Sequence, residues 1–397
     1  MNENLYSGSE SQPAKLGEGK LPARDFFLIP LLSVATVMAM FAGSEIVARK
    51  VFVSGGNDPC WVSYDPRLGS ADRPNCTARI KVFESPWVEH SFNECGYRTP
   101  ESCGPKRAGT LRVALMGASV AEGYLIPYKD TFAAQASRLL SEQSGRKVEI
   151  QNLAVEGCGP LFVCRRIGEA LQLKPDLVLW ILSPYDLEQD IDPDLLARRD
   201  DLDPITAAKT PQAPVSVLKR LQRAVADSRT LFAAQHLAFQ NQDLYVKLYL
   251  MQAERSGFLT KPLPRKWLKR LADTDVLVGA MAEKTRRAGV PFAVAVAPQR
   301  AQAALASMHV RAAHVDPYLF ESAIEDIALR HRVTAVPVLS EFGSLPNPEK
   351  LYYPVDGHLS GDGQTVLARA LVRGLVKDIA VFSGRTDSNE QKMAGLR

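Results

Sequence analysis

From Leu111 to Ile379 the chain alternates short apolar runs with longer amphipathic ones, and that rhythm narrows the fold more than any other feature. LRVALMG (Leu111–Gly117), KVEIQNLAV (Lys147–Val155), PDLVLWILS (Pro175–Ser183), VPFAVAVAP (Val290–Pro298) and VTAVPVL (Val333–Leu339) each have the length and continuous apolarity of a strand buried on both faces. Helical spacing fills the gaps over 131–145, 161–173, 265–288, 317–331 and 363–379. Strands that alternate with helices build a parallel sheet covered on both sides, a three-layer, doubly wound α/β domain. In such a sheet the loops leaving the carboxyl ends of the strands gather on one edge, where ligands bind.

Residues 184–263 interrupt the rhythm with an acidic stretch, a Pro-punctuated linker and amphipathic sequence such as VLKRLQRAV (Val217–Val225). They read as an insertion, a helical cap, within a domain spanning 109–382. Residues 51–108 are rich in Pro, Gly, Asn and Cys and read as an irregular prelude packed on that domain. The tail, 383–397, is polar and reads as loose.

Ahead of the prelude, FFLIPLLSVATVMAMFAGS (Phe26–Ser44) runs 19 residues without a charge. A helix of about 20 residues crosses the hydrocarbon core of a bilayer. A buried core helix and a cleaved signal peptide are the alternatives. The polar stretch 1–25 is long for a signal peptide, and no clean small-x-small pair follows. The expectation is an uncleaved anchor over 26–47, with the N-terminal tail in the cytoplasm and the rest in the periplasm; the charge bias behind that orientation is slight. All six cysteines lie beyond the anchor and no CxxC occurs, which suits disulfides in an oxidising compartment better than six buried thiols. Cys95–Cys103 and Cys158–Cys164 are the local pairings, although spacing does not fix connectivity. The formal charge of +4 on 397 residues, with no basic stripe, gives no case for nucleic-acid binding. His90, His236, His309, His314 and His331 are scattered without metal-ligand spacing and read as surface or packing residues.

Four segments fall on the expected ligand edge: MGASVAEG (Met116–Gly123), NLAVEGCGP (Asn152–Pro160), SPYDLE (Ser183–Glu188) and VDGHLSGDG (Val355–Gly363). Each alone reads as a turn or a cap. Together they offer a hydroxyl at Ser119, an imidazole at His358 and a carboxylate at Asp356. A serine needs a base to take its proton, and the base needs an acceptor to orient it.

These blocks resemble the SGNH hydrolases of the GDSL type, in their membrane-anchored bacterial branch. GASVAEG is similar to the family's first block, with Ser119 as nucleophile. NLAVEGCG is similar to the second, with the Gly157 N–H as oxyanion donor, and DGHLSGDG to the last, with Asp356 and His358. YDPRLGS (Tyr64–Ser70) and FNECGYRTPE (Phe92–Glu101) are similar to segments that precede the nucleophile in such proteins. The resemblance covers Trp61–Ile379 apart from the insertion. It implies a flavodoxin-like sheet and a serine esterase or O-acyltransferase with no cofactor and no metal. The implied substrate is an acyl ester, acetyl first, of a cell-envelope or exported polysaccharide, with envelope polysaccharide machinery as the implied partner. Two departures stand out. Ala118 replaces the Asp before the serine, a position outside the triad. The third block, usually G-x-N-D, reads SPYD, so Tyr185 stands where an asparagine normally donates to the oxyanion. Either Tyr185 or another group supplies that donor, or the enzyme is slow, or the chemistry is lost. A non-catalytic carbohydrate-binding or assembly subunit is therefore the competing reading, and a soluble lipase-like esterase the third.

Overall fold

The computed structural model describes residues 22, 24–56, 58–65, 67–200, 227–308 and 314–383. The expected helical run Val217–Val225, His309 and the tail from 384 lie outside them. The chain forms two compact units, which divide between Val51 and Phe52.

The first unit contains helix α1 (Asp25–Val51). It carries the uncharged run and continues past it to the basic pair Arg49 and Lys50. Its most apolar 18 residues have a mean hydropathy of 2.1, and none of that window is buried. Phe26, Leu31, Val37 and Met40 stand exposed along it. Among the described residues it is the one helix long and apolar enough to cross a bilayer.

The second unit is built on five parallel strands, all foreseen from the apolar runs: β5 (Leu111–Gly117), β6 (Val148–Asn152), β7 (Leu177–Leu182), β8 (Phe292–Val296) and β9 (Thr334–Val336). Their order across the sheet is β6-β5-β7-β8-β9. Every residue of β5, β6, β7 and β8 is buried. Alternate residues feed two different cores, as a pleat of period two requires. Leu111, Val113 and Leu115 of β5 join Leu177, Leu179 and Ile181 of β7 on one face, under the helix Phe132–Ser144 and the last long helix, Gly361–Asp378. Ala114 and Met116 join Val178, Trp180 and Leu182 on the other, under Arg265–Arg287 and Leu319–His331. The chain steps from β5 outward to β6, then back past β5 to β7, so the direction of travel reverses there. Crossovers keep one hand, so the helices change face at that point and a crevice opens between the carboxyl ends of β5 and β7.

The prelude is more regular than its composition suggested. Two antiparallel hairpins form, β1 (Trp61–Asp65) with β2 (Gly69–Asp72), and β3 (Thr77–Ile80) with β4 (Val88–Ser91). They share a small core with Leu125 of the sheet domain, and the Cys60–Cys76 disulfide lies in it. Cys95–Cys103 pairs as foreseen. Cys158–Cys164 does not: both are free and buried. Six residues apart, they point into separate places, Cys158 beside the Gly159 carbonyl and Cys164 toward Leu277. The foreseen helix over 161–173 is two short ones, Pro160–Arg165 and Ile167–Gln172, that meet at Arg166. The insertion contributes helices Pro193–Ala197, Arg229–Ala238, Gln242–Leu250 and Ala253–Ser256 among the described residues. Tyr245, Val246, Tyr249, Phe258 and Leu259 sink into the same core as β7 and β8, so this part of the insertion is integral to the domain.

One buried ion pair ties the sheet to the prelude's end. Arg112 on β5 lies in register with Glu149 on β6, and its Nε donates to the Glu149 carboxylate. Arg112 Nη1 also donates to the carbonyls of Gly104 (2.9 Å) and Leu173 (3.0 Å). Glu149→Ala would leave that guanidinium buried with its countercharge gone. The expected cost is about 3–5 kcal/mol, read as a lower urea midpoint at unchanged slope.

Candidate active site

Ser119 opens a one-turn helix, Ser119–Glu122, immediately after β5. The turn off the strand is tight. A Cβ on Gly117 would lie 2.4 Å from the Ala121 Cβ and 2.6 Å from the Ile181 carbonyl, so only glycine fits there. Ala118, Val120, Ala121 and Glu122 are buried, while Ser119 keeps partial exposure. The carbonyls at the helix end have dedicated donors. Asn152 Nδ2 donates to Ala121 O (3.0 Å), and Arg98 Nη1 donates to Glu122 O (3.1 Å) and Gly123 O (2.6 Å). The guanidinium of Arg98, from the prelude, is almost wholly buried to do so.

His358 and Asp356 come from the loop before the last helix. His358 Nε2 lies 2.8 Å from Ser119 Oγ, and Nδ1 lies 2.6 Å from Asp356 Oδ1. The His358 backbone N–H also donates to Asp356 Oδ1 (3.1 Å). About a fifth of each side chain is exposed, 21% in both cases. Burial works against a charge on His358, but the hydrogen bond and charge of Asp356, with Glu156 and Asp186 nearby, more than offset it. The imidazole pKa therefore rises above its ordinary 6.5. Burial alone would raise the Asp356 pKa; the bond to His358 reverses the sign and holds it below 3.8.

The loop after β6 brings Gly157, exposed and with φ of +71°, beside Trp61 and Ser70 of the prelude. Trp61 Nε1 donates to the Glu156 carbonyl (3.1 Å). Desolvation pushes the Glu156 carboxyl up to about 7; the positive charge of His358 pulls against that rise, and Asp58 and Asp356 add to it. The loop after β7 is a capped turn. Asp186 Oδ2 accepts from the Ser183 N–H (2.8 Å) and Ser183 Oγ from the Tyr185 N–H (3.4 Å). Burial raises Asp186 to about 7, against the opposing pull of that N–H and of His358. The Tyr185 hydroxyl packs against Gly357: a Cβ there would sit 2.8 Å from it, and the backbone has φ of +84°. Tyr185 thus flanks the turn that carries Asp356 and His358, and burial raises its pKa.

Two of the other described histidines do more than fill space. His331 Nε2 lies 2.6 Å from Asp275, and His236 Nδ1 lies 2.6 Å from Glu84. His90 is buried, 3.6 Å from Glu122 and 3.9 Å from Asp58. Desolvation, with help from the Arg98 charge, pushes it down to about 2, so it is neutral.

Glu84, Arg98, Glu156, Asp186 and Arg300 shape this region and were not singled out from the sequence. FNECGYRTPE contains Arg98, but nothing local announces that its side chain reaches carbonyls 24 and 25 residues downstream.

No family model matches the chain, and no curated protein matches it in sequence. Among solved structures, a lipase/acylhydrolase from Enterococcus faecalis is 12% identical, covering 67% of this chain and 95% of its own, with a TM-score of 0.36. A catalytic mutant of an acetylxylan esterase from Geobacillus stearothermophilus is 13% identical, covering 68% and 96%, with a TM-score of 0.37. A two-domain esterase active on acetylated mannans is 14% identical, covering 70% of this chain and 51% of that one, with a TM-score of 0.37. The sheet order and the Ser119–His358–Asp356 distances stand independently of these likenesses.

Proposed function

We propose that this protein is a membrane-anchored serine esterase or O-acyltransferase of the SGNH type. Its substrates are acyl esters, acetyl foremost, of a cell-envelope or exported polysaccharide outside the cytoplasm. The observation that carries the reading is the contiguous set in which His358 Nε2 lies 2.8 Å from Ser119 Oγ and His358 Nδ1 lies 2.6 Å from Asp356 Oδ1. The apolar helix Asp25–Val51 and the two disulfides support an anchored, extracytoplasmic location. The saccharide rests on the resemblance of the motif blocks and on that location.

The chemistry follows from the residues. His358 Nε2 takes the Ser119 proton as Oγ attacks the ester carbonyl. The N–H groups of Ser119 and Gly157 receive the negative oxygen of the tetrahedral intermediate. His358 then gives its proton to the leaving alkoxide, which departs as the alcohol. Water, or a sugar hydroxyl, loses a proton to His358 and attacks the acyl-serine; the ester bond to Oγ breaks, His358 returns that proton to Oγ, and the acid or a new ester leaves. Asp356 keeps Nδ1 protonated and faces the charge that forms on the ring.

Tyr185 is assigned to the flank of the His358 turn and not to the oxyanion. Tyr185→Phe is therefore expected to lower kcat by less than about tenfold, whereas losing a true oxyanion donor costs about a hundred- to a thousandfold. Steady-state kinetics on an aryl acetate distinguishes the two, and a loss in the larger range would put the phenol in the hole.

The deciding measurement is reaction of the full-length, detergent-solubilised protein with a fluorophosphonate, followed by product analysis on an acetylated glycan with and without an acceptor sugar. Acetate release supports the esterase and a newly acetylated acceptor the transferase. The substitution SPYD for G-x-N-D favours a second reading, a non-catalytic glycan-binding subunit. Absence of covalent labelling together with retained glycan binding would establish it.

A further inference from the structure

Glu84 lies in the prelude, 272 residues before Asp356, and no motif marks it. Its side chain is 3% exposed. Both carboxylate oxygens lie 3.1 Å from the Val355 N–H nitrogen, and Oε2 also accepts from the Asp356 N–H (3.0 Å). Oε1 lies 2.6 Å from His236 Nδ1, on the insertion helix Arg229–Ala238. A carboxylate accepts only, so Nδ1 is the protonated nitrogen of that ring. Around this contact, Phe83 and Phe52 both pack on Phe232, and the Arg229 guanidinium lies 3.9 Å over the Phe83 ring.

A second charged side chain grips the same loop. Arg300 Nη1 donates to the Pro354 carbonyl, and Nη2 to the Phe239 carbonyl. Beyond it, Tyr353 N donates to His358 O (2.9 Å) and Gly357 N to Tyr353 O (3.0 Å). Residues 354–356 are thus fixed by two buried charged side chains from elements remote in sequence. Burying a carboxylate is costly unless its lone pairs are filled; here three donors fill them, and two of those are the backbone of the Asp356 turn.

We propose that Glu84 is a positioning residue. It fixes the Val355 and Asp356 N–H groups and so aims the Asp356 carboxylate at His358 Nδ1, while His236 holds Glu84 in place. The site is then completed by the prelude and the insertion together, not by the sheet loops alone. This rests on the Ser119–His358–Asp356 reading above.

Glutamine is the informative replacement at 84. Its amide offers one acceptor oxygen and turns N–H groups toward a site whose other members all donate. Glu84→Gln is expected to lower kcat by about ten- to a hundredfold with KM unchanged, because small misplacements of an acid–base group cost about that much. It is also expected to lower the pH at which His358 titrates, since an ill-aimed Asp356 raises that pKa less. The groups that face His358 are Asp356, Glu156, Asp186 and the Tyr124 ring, 5.4 Å away; those that face Glu84 are His236, Arg300 and Tyr353. Of these, the substitution alters only the Glu84 contacts directly.

The experiment measures kcat per fluorophosphonate-titrated site, the thermal midpoint, and the His358 imidazole titration by NMR, in the full-length protein and in Glu84→Gln and His236→Gln. His236→Gln keeps both backbone grips, so a smaller rate loss and a smaller titration shift than in Glu84→Gln support the proposal. A lower thermal midpoint in Glu84→Gln with kcat per site and His358 titration both unchanged would overturn it, and Glu84 would be a stability element only. If the parent protein shows no labelling and no turnover, the hydrolase reading fails, while the His358 titration still reports on what Glu84 does.

Discussion

Ser119→Ala is expected to abolish covalent labelling by a fluorophosphonate and to lower kcat by up to about 10⁶-fold, the scale seen when a triad nucleophile is removed. The expectation rests on what is left behind. His358 keeps its bond to Asp356 at 2.6 Å, but Nε2 then faces a methyl group and has no proton to take. The N–H groups of residues 119 and 157 remain, so a residual rate above water persists. Among the described residues, Ser119 caps nothing and its side chain makes one hydrogen bond, to His358. The folded state is therefore expected to survive, with a thermal midpoint close to the parent's. Labelling that persists in Ser119→Ala would place the nucleophile elsewhere and remove the basis of the proposed function.

Asp356→Asn is the second large effect. An amide has roughly the shape of the carboxylate but none of its charge, and it can turn an N–H toward Nδ1. The ring is then offered the wrong tautomer, with the proton on Nε2 where a lone pair is needed, and kcat falls by about 10⁴-fold. The pH dependence changes as well, and its sign is determined. The base acts when neutral, so kcat/KM rises with pH through the pKa of His358 in the free enzyme. In the parent, burial lowers that pKa and Asp356, Glu156 and Asp186 together raise it by more, which puts the midpoint of the rise above 6.5. Removing the Asp356 charge leaves burial opposed only by Glu156 and Asp186, so the midpoint moves to lower pH. A pH–rate profile of both proteins over pH 5–9 reads the shift. An unmoved midpoint would mean that Asp356 is not what raises the imidazole.

The two expectations draw on very different amounts of sequence information. All five strands of the sheet, and the face on which Ser119, Asp356 and His358 meet, follow from local pattern. A doubly covered strand must be apolar throughout, and a nucleophile turn must begin with a residue that has no side chain, as Gly117 does. Such rules act over a few residues, so they are written in a few residues. The two-residue spacing of Asp356 and His358 belongs to the same class, because the turn itself brings Oδ1 to the ring and to its N–H.

Tertiary structure decided the rest. It left Cys158 and Cys164 unpaired, since one turns to Gly159 and the other to Leu277. It turned an apparently irregular prelude into two hairpins that deliver Arg98 to the serine helix and Glu84 to the Asp356 loop. It set the Tyr185 hydroxyl against Gly357. Apart from Cys158 beside its neighbour Gly159, each of these is a contact between side chain and distant backbone, and backbone groups are the same at every position. The sequence can therefore name a hydroxyl, an imidazole and a carboxylate, but which buried charge holds which carbonyl or N–H exists only once the chain has closed on itself.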